Sequence, residues 1–223
     1  MGPKAYILVN VNIFTKKEIY NNPVQDKIIK DEGDPEISLK LNRENFYLDF
    51  DQYFCHHDYK QKKYGKAFDM YFNYFFEPLD FYLYYNKDSS FCLIQTRTKV
   101  AIDFLKELNK TGDFDLQTVK IDYSKMYPII NEISGAWIAD LKGDYLKTAG
   151  LFGHHVDKSE EFKQAAKEGE VSSLRLRFIN ENSKEEHAVG ISRKGAIVLY
   201  DNFNQIEDEI NLVIEIYNKL INI

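Results

Sequence analysis

The opening stretch AYILVNVNI alternates. Ile7, Val9, Val11 and Ile13 fall on one face and Tyr6, Leu8, Asn10 and Asn12 on the other, the period of two that predicts a half-buried strand. Residues 15–45 then turn polar, with NNP at 21–23 and KDEGDPE at 30–36, a composition that breaks regular structure and reads as a loop. FYLDFDQYF at 46–54 is aromatic and alternating and predicts a second strand. From Tyr64 onward, Ala67, Phe68, Tyr71, Phe72, Phe75 and Phe76 fall three and four apart as far as Pro78, which predicts an amphipathic helix stopped by proline. FYLYY and SFCLIQT, separated by NKDS, read as a hairpin. A helix follows, with Thr98 as N-cap and Ala101, Phe104, Leu105 and Leu108 as its buried stripe, ending near Gly112.

The NKTGDFD stretch at 109–115 suggests a boundary between an aromatic-rich part, 1–115, and a C-terminal part, 116–223, although the two also read as one continuous domain. In the second part a short helix around 124–133 leads through Ser134-Gly135 into AWIADL and then YLKTAGLFG, a hairpin across a KGD turn. Asp157 and Glu160 have capping-box spacing for a helix that Gly169 closes. In SSLRLRF, Leu174, Leu176 and Phe178 point one way and Arg175 and Arg177 the other, a strand with one wet face. HAVGIS and AIVLY flank an Arg193-Lys194-Gly195 turn. A last helix carries Ile206, Ile210, Val213, Ile214, Tyr217, Leu220 and Ile221 as its stripe, with Asn204 and Glu207 as a second capping box.

These elements predict the α+β class, an antiparallel sheet flanked by helices. The order over residues 124–223, α-ββ-α-βββ-α, is similar to that of roadblock, longin and profilin-like domains, which wrap helices around a five-stranded antiparallel sheet. That resemblance, carried by element order alone, implies a scaffold used mostly for protein partners.

Composition narrows the function classes. A net charge of −6 over 223 residues opposes a general phosphate-binding role, since nonspecific nucleic-acid affinity comes from cations that displace counterions, and leaves room only for a local basic patch. Cys55 and Cys92 are too few for a disulfide framework and read as reduced packing thiols in a cytoplasm. The first apolar run is broken by Asn10 and Asn12 with no small-residue cleavage site after it, so no export signal is expected. No apolar stretch reaches the length of a membrane span. Richness in Lys, Ile, Asn, Tyr and Phe suits an AT-rich prokaryotic or viral gene.

Three chemistries have candidates. His56 and His57 in CHHD, with His154 and His155 in GHHVD, supply metal-ligand types, but neighbours on a strand face opposite sides, and no two-ligand spacing occurs on one element. Asp49 and Asp51 in FYLDFD stand at the spacing that aims two carboxylates from one strand face at a divalent cation. FYLDFD resembles the first motif of archaeo-eukaryotic primases, which implies a later histidine and a third aspartate. His187 and Asp201 stand in those places, although Glu185-Glu186-His187 lacks the small-x-His pattern. Lys60, Lys62, Lys63, Tyr64 and Lys66 form one basic patch, placed near a helix N-terminus where the macrodipole disfavours cations. Arg175, Arg177, Arg193 and Lys194 form another. Either suits an acidic protein surface or a nucleic-acid backbone with tyrosines stacking on bases.

Phosphate loops, nucleophile elbows and dinucleotide fingerprints are missing, and no cofactor is expected. Sixteen Tyr and sixteen Phe exceed what a core of this size needs, and aromatic side chains favour interface cores. The expectation is therefore a cytoplasmic, non-enzymatic interaction or regulatory protein that binds a macromolecular partner or itself and no membrane. A nucleic-acid-binding protein and a metal-dependent phosphoryl-transfer enzyme or nuclease are the alternatives.

Overall fold

A computed structural model of the chain describes residues 2–15, 19–23, 35–88, 90–181 and 183–222. Its strands are β1 (Lys4–Phe14), β2 (Ile19–Pro23), β3 (Glu36–Tyr47), β4 (Phe50–Ala67), β5 (Met70–Asn86), β6 (Phe91–Gln95), β7 (Phe114–Thr118), β8 (Glu132–Ala139), β9 (Ala149–Phe152), β10 (Glu170–Ile179), β11 (Glu186–Ser192) and β12 (Ala196–Leu199). Its α-helices are α1 (Thr98–Asn109), α2 (Tyr123–Met126), α3 (Glu160–Glu168) and α4 (Ile206–Ile216). Contacts divide the chain into two compact units, Ile7–Thr118 and Met1–Tyr6 with Val119–Ile223.

The expected helix-flanked α+β fold, and with it the roadblock, longin or profilin-like arrangement, is overturned. Of the described residues 51% are strand and 22% helix, and one of the four α-helices among them is only four residues long. The largest difference lies at 64–77, where the expected helix is replaced by the distal halves of β4 and β5. These strands pair antiparallel from Phe50↔Asn86 to Ala67↔Met70. The three-and-four spacing of aromatic residues is equally an alternation. Phe72, Tyr74 and Phe76 are half-covered while Tyr71, Asn73 and Phe75 are exposed. Tyr and Phe favour the pleated surface, and a long register-matched partner is available, so pairing wins over an uncommitted helical stripe. Phe68 and Asp69 close the hairpin, both with positive φ, 47° and 62°, the pairing that a type I′ turn requires. Pro78 does not end the element. It lies where β5 has β4 on one side only and β6 has not begun, a place where the missing N–H costs no ladder bond.

The expected loop at 15–45 contains β2 and β3, which pair with each other from Ile19↔Lys40 to Pro23↔Glu36. Residues 24–34, with most of the acidic KDEGDPE run, lie outside the described residues. In the Ile7–Thr118 unit the strand order is β2-β3-β4-β5-β6-β1, with β7 paired to β1. Helix α1 packs Val100, Ala101, Phe104, Leu105 and Leu108 into the core, where the Phe104 ring meets Phe81 at 5.0 Å and His57 at 5.8 Å. The Asn109 side chain bonds both the N–H and the carbonyl of Leu116, fixing the end of α1 to β7.

In the other unit the order is β9-β8-β10-β11-β12. Leu174, Leu176 and Phe178 of β10 are buried, as their alternation predicts, and Ile210, Leu212, Val213 and Ile216 of α4 are buried with them. Glu209 of α4 is also buried, accepting from Tyr6 Oη at 2.5 Å and from Lys4 Nζ, both on β1. The expected helix at 124–133 is only Tyr123–Met126, since β8 begins at Glu132. The caps differ as well. Ser159, and not Asp157, caps α3 by accepting from the Phe162 N–H, while Arg97 and Gln205 precede α1 and α4 without a side-chain cap. Gly169 follows α3 where a Cβ would stand 2.5 Å from the Ala139 carbonyl oxygen, so only glycine fits the approach to β8.

Candidate anion-binding groove and ribbon arm

β3 pairs with β4 only as far as Ile37↔His57, and β6 pairs with β5 only from Tyr82 onward. Among the described pairings, residues 58–67 and 70–78 therefore bond to each other alone, a two-stranded ribbon roughly 30 Å long at about 3.3 Å per residue. Its β4 edge carries Lys60, Lys62, Lys63 and Lys66. Its tip is apolar and open, with Phe68 98%, Tyr64 69%, Tyr71 67% and Met70 63% exposed. Tyr64 and Tyr71 stack on each other, rings 5.8 Å apart and 15° from parallel. Gly65 lies beneath Phe72, whose ring occupies the space a Cβ would take. Two lysine ammoniums sit over ring faces, Lys60 on Tyr74 at 4.2 Å and Lys66 on Tyr71 at 5.5 Å.

Where this ribbon leaves the sheet, β4 and α1 bound a groove of about 730 Å³. Residues 57–62 form one wall. On the other, Lys99, Ile102, Asp103, Lys106 and Lys110 recur at helical spacing and so share one stripe of α1, about 16 Å long at 1.5 Å per residue. Five lysines, Lys60, Lys62, Lys99, Lys106 and Lys110, meet three carboxylates, Asp58, Asp103 and Glu107. Glu107 is bonded to Lys110 at 2.6 Å. Asp103 lies 3.1 Å from His57 Nε2, and this hydrogen bond, joined by the charges of Lys106 and Lys110, holds its carboxyl below the ordinary range. Asp58 accepts from the Glu36 N–H. With five lysines to three carboxylates, the lining of the groove carries a net positive charge.

The sequence-predicted site residues disperse. Asp49 is exposed in the turn between β3 and β4 with φ of 61°, whereas Asp51 lies buried in β4 and accepts from the Asn45 N–H at 2.8 Å, so the strand expected to aim both from one face is interrupted by a turn. His187 and Asp201 do meet, Nδ1 to Oδ2 at 3.0 Å, with the Phe203 ring 5.4 Å from the imidazole, but in the other unit. His56 and His57 diverge on β4. His57 is buried against α1, while His56 bonds Asp80 at 2.7 Å with Asp58 at 3.4 Å. Burial pulls the His56 pKa down, but the bond to Asp80 and the charges of Asp58 and Asp80 outweigh it, and the net shift is upward. His154 bonds Glu132 at 2.9 Å, and His155 sits in the left-handed region ahead of a short 3-10 turn. Among the described residues no group of three or more His, Cys, Asp or Glu could hold a metal ion.

The lysines of 60–66 lie on a strand, so the helix-dipole cost expected for them does not arise. Of the second patch, Arg177 is paired with Glu186 at 2.6 Å, Arg193 with Glu170, and Arg175 lies 4.7 Å over the Tyr200 ring. Lys194 stands exposed in its turn. The α1 stripe that completes the groove, Lys99, Lys106 and Lys110, was not singled out by sequence reading. Its signal is present as i, i+7, i+11 spacing on the face opposite the apolar stripe, but nothing in the sequence says that β4 lies across from it.

No family model matches the chain, and no curated protein matches it. Among the described residues no helix is long and apolar enough to cross a membrane.

Proposed function

We propose that the protein is a cytoplasmic, non-enzymatic interaction or regulatory protein whose ribbon arm and adjoining groove hold an anionic macromolecular partner. One observation carries this reading. A hairpin that projects past its neighbouring strands exposes large aromatic side chains at its tip and leads, along the same strand, into a groove where lysines outnumber carboxylates. Exposed apolar groups of this size gathered at one place mark interaction surfaces. Lysines on an edge strand also block strand-to-strand aggregation, which accounts for Lys60, Lys62 and Lys63 by themselves. Lys99 and Lys106 are on α1, away from any strand edge, and have no such duty, so their convergence on the same groove supports ligand binding, while Lys110 at the end of the helix is bonded to Glu107.

Retention of the full chain on immobilised heparin tests the reading. A chain of net charge −6 is repelled by a polyanion unless a local patch holds it. The native chain is expected to bind at low salt, and Lys99→Glu with Lys106→Glu to pass through. Lys163→Glu, which reverses an exposed, ion-paired lysine on α3, should elute with the native chain. Failure of the native chain to bind, or unchanged retention of the double variant, contradicts the reading.

A further inference from the structure

We propose that the anionic partner is single-stranded nucleic acid, with its phosphates along the groove and its bases stacked on the rings of the arm. This rests on the reading above and goes beyond it by naming the ligand.

Three features favour a single nucleic-acid strand over other polyanions. First, charge and π-faces alternate along one continuous track. β4 supplies Lys60 and Lys62 to the groove and then, four residues further, Lys66 beside the Tyr64–Tyr71 pair, ahead of Phe68 at the apex. A strand of nucleic acid offers the complementary alternation, a charged backbone with a flat ring at every step, and a cationic groove edged by aromatic residues is how such strands are held without sequence preference. An acidic peptide supplies the charges but has no regular use for the rings.

Second, the rings are open on faces that a base could cover. Tyr64 and Tyr71 are stacked on each other and each is about two-thirds exposed, with the Lys66 ammonium over the Tyr71 ring placed to meet the phosphate of a stacked nucleotide, and Phe68 is almost wholly exposed. In a duplex the base faces are already buried in the stack, and only an unpaired strand can present them.

Third, the cations suit phosphates and not base edges. The ribbon between Asp58 and Pro78 carries lysines and no arginine. Lysine is a point charge for phosphate, whereas base reading in a duplex groove uses bidentate Arg, Asn or Gln. Of the ribbon's amides, Gln61 is already bonded to Glu77 at 2.7 Å.

Fluorescence anisotropy of the full chain at low salt separates the possibilities. The labelled probes are mixed-sequence DNA and RNA single strands of roughly twelve nucleotides, within the span such proteins cover, the same sequence as a duplex, and poly-glutamate of matched charge. The expected result is binding of single strands at least about ten-fold tighter than of duplex or poly-glutamate. Tyr64→Ala with Tyr71→Ala, and Phe68→Ala, should each weaken single-strand binding roughly ten-fold, within the effect of losing a stacked base. Tyr64→Phe with Tyr71→Phe should restore it, because the ring faces are kept. These side chains are exposed, and an unchanged circular dichroism spectrum confirms the fold of each variant. Duplex binding equal to single-strand binding, or alanine variants as tight as the native chain, overturns the proposal. Binding to poly-glutamate without single strands overturns it while leaving the anionic-partner reading standing, and binding to no probe ends both.

Discussion

Glu209 is a carboxylate with 1% exposure inside the C-terminal unit, and its replacement by alanine gives a sharp test of how β1 is tied to α4. Its two oxygens accept from Tyr6 Oη, at 2.5 Å, and from Lys4 Nζ, and Tyr6 is itself fully buried. Removing one member of a buried charged pair costs about 3–5 kcal/mol, because the other is left in a medium that solvates it poorly. Lys4 escapes part of that cost. Its side chain is 33% exposed and can turn its ammonium to water, so the penalty falls mainly on the Tyr6 hydroxyl and on the space the carboxylate filled. A loss of about 3 kcal/mol follows, near the lower end of that range. With a urea dependence of about 2 kcal/mol per molar, the midpoint of the unit's unfolding should fall by about 1.5 M. Glu209→Gln, which keeps the volume and an acceptor, should lose about half as much. In a double-mutant cycle, Tyr6→Phe should show a coupling of about 1–2 kcal/mol with Glu209→Ala. Urea denaturation followed by circular dichroism reads all of these. A loss below about 0.5 kcal/mol for Glu209→Ala, the size of an ordinary surface change, would refute the reasoning.

Two further outcomes follow from the buried and half-buried titrating groups. The raised pKa of His56 means that its interaction with Asp80 and Asp58 stabilises the fold fully below the ordinary histidine value of 6.5 and is lost as pH rises through the raised folded pKa. His56→Ala should remove that part of the pH dependence, and an imidazole titration by NMR that places His56 below 6.5 would contradict it. Cys55 and Cys92 are fully buried, and desolvation pushes both thiols upward, for Cys55 with Cys92 as a second cause, so neither should react with an aromatic disulfide reagent until the protein unfolds. Rapid labelling of the native chain would show that one of them is reachable.

Much of the C-terminal unit was legible in the sequence because β10 and α4 each have one buried face. Leu174, Leu176 and Phe178 alternate against Arg175 and Arg177, and Ile210, Val213 and Tyr217 recur at helical spacing along the last segment. The caps misled by only one or two residues, since Asp157 and Ser159 are both competent acceptors and only the backbone path of the 3-10 turn selects Ser159. The ribbon was illegible for a definite reason. Aromatic residues occupy both parities of β5, Phe72, Tyr74 and Phe76 on one side and Tyr71 and Phe75 on the other, so the period of two is masked and the helical period looks as good. The turns carry no Asn-Gly or Asp-Gly either. Leu48-Asp49 and Phe68-Asp69 reach positive φ at both positions without glycine, and an apolar residue followed by Asp is a weak turn signal by itself. Their recurrence in YLDF and AFDM, at the two ends of β4, is the one local cue that the two sites share a geometry. The same turn placed Asp49 and Asp51 on different elements and removed the basis for reading them as a pair. The lysine groove depends on β4 and α1 lying side by side, a long-range fact with no local trace, and only the basic half on β4 could be read beforehand.

The salt dependence of single-strand binding tests the central claim most directly. Each phosphate neutralised on a single strand contributes about −0.7 to the slope of log affinity against log salt, so Lys62, Lys99 and Lys106, the groove lysines other than Lys110, which is bonded to Glu107, and Lys60, which lies over Tyr74, allow a slope of up to about −2.1. Lys99→Ala with Lys106→Ala removes two of these contacts and should make the slope shallower by about 1.4. A native slope near zero, or one that the double variant leaves unchanged, would contradict the account.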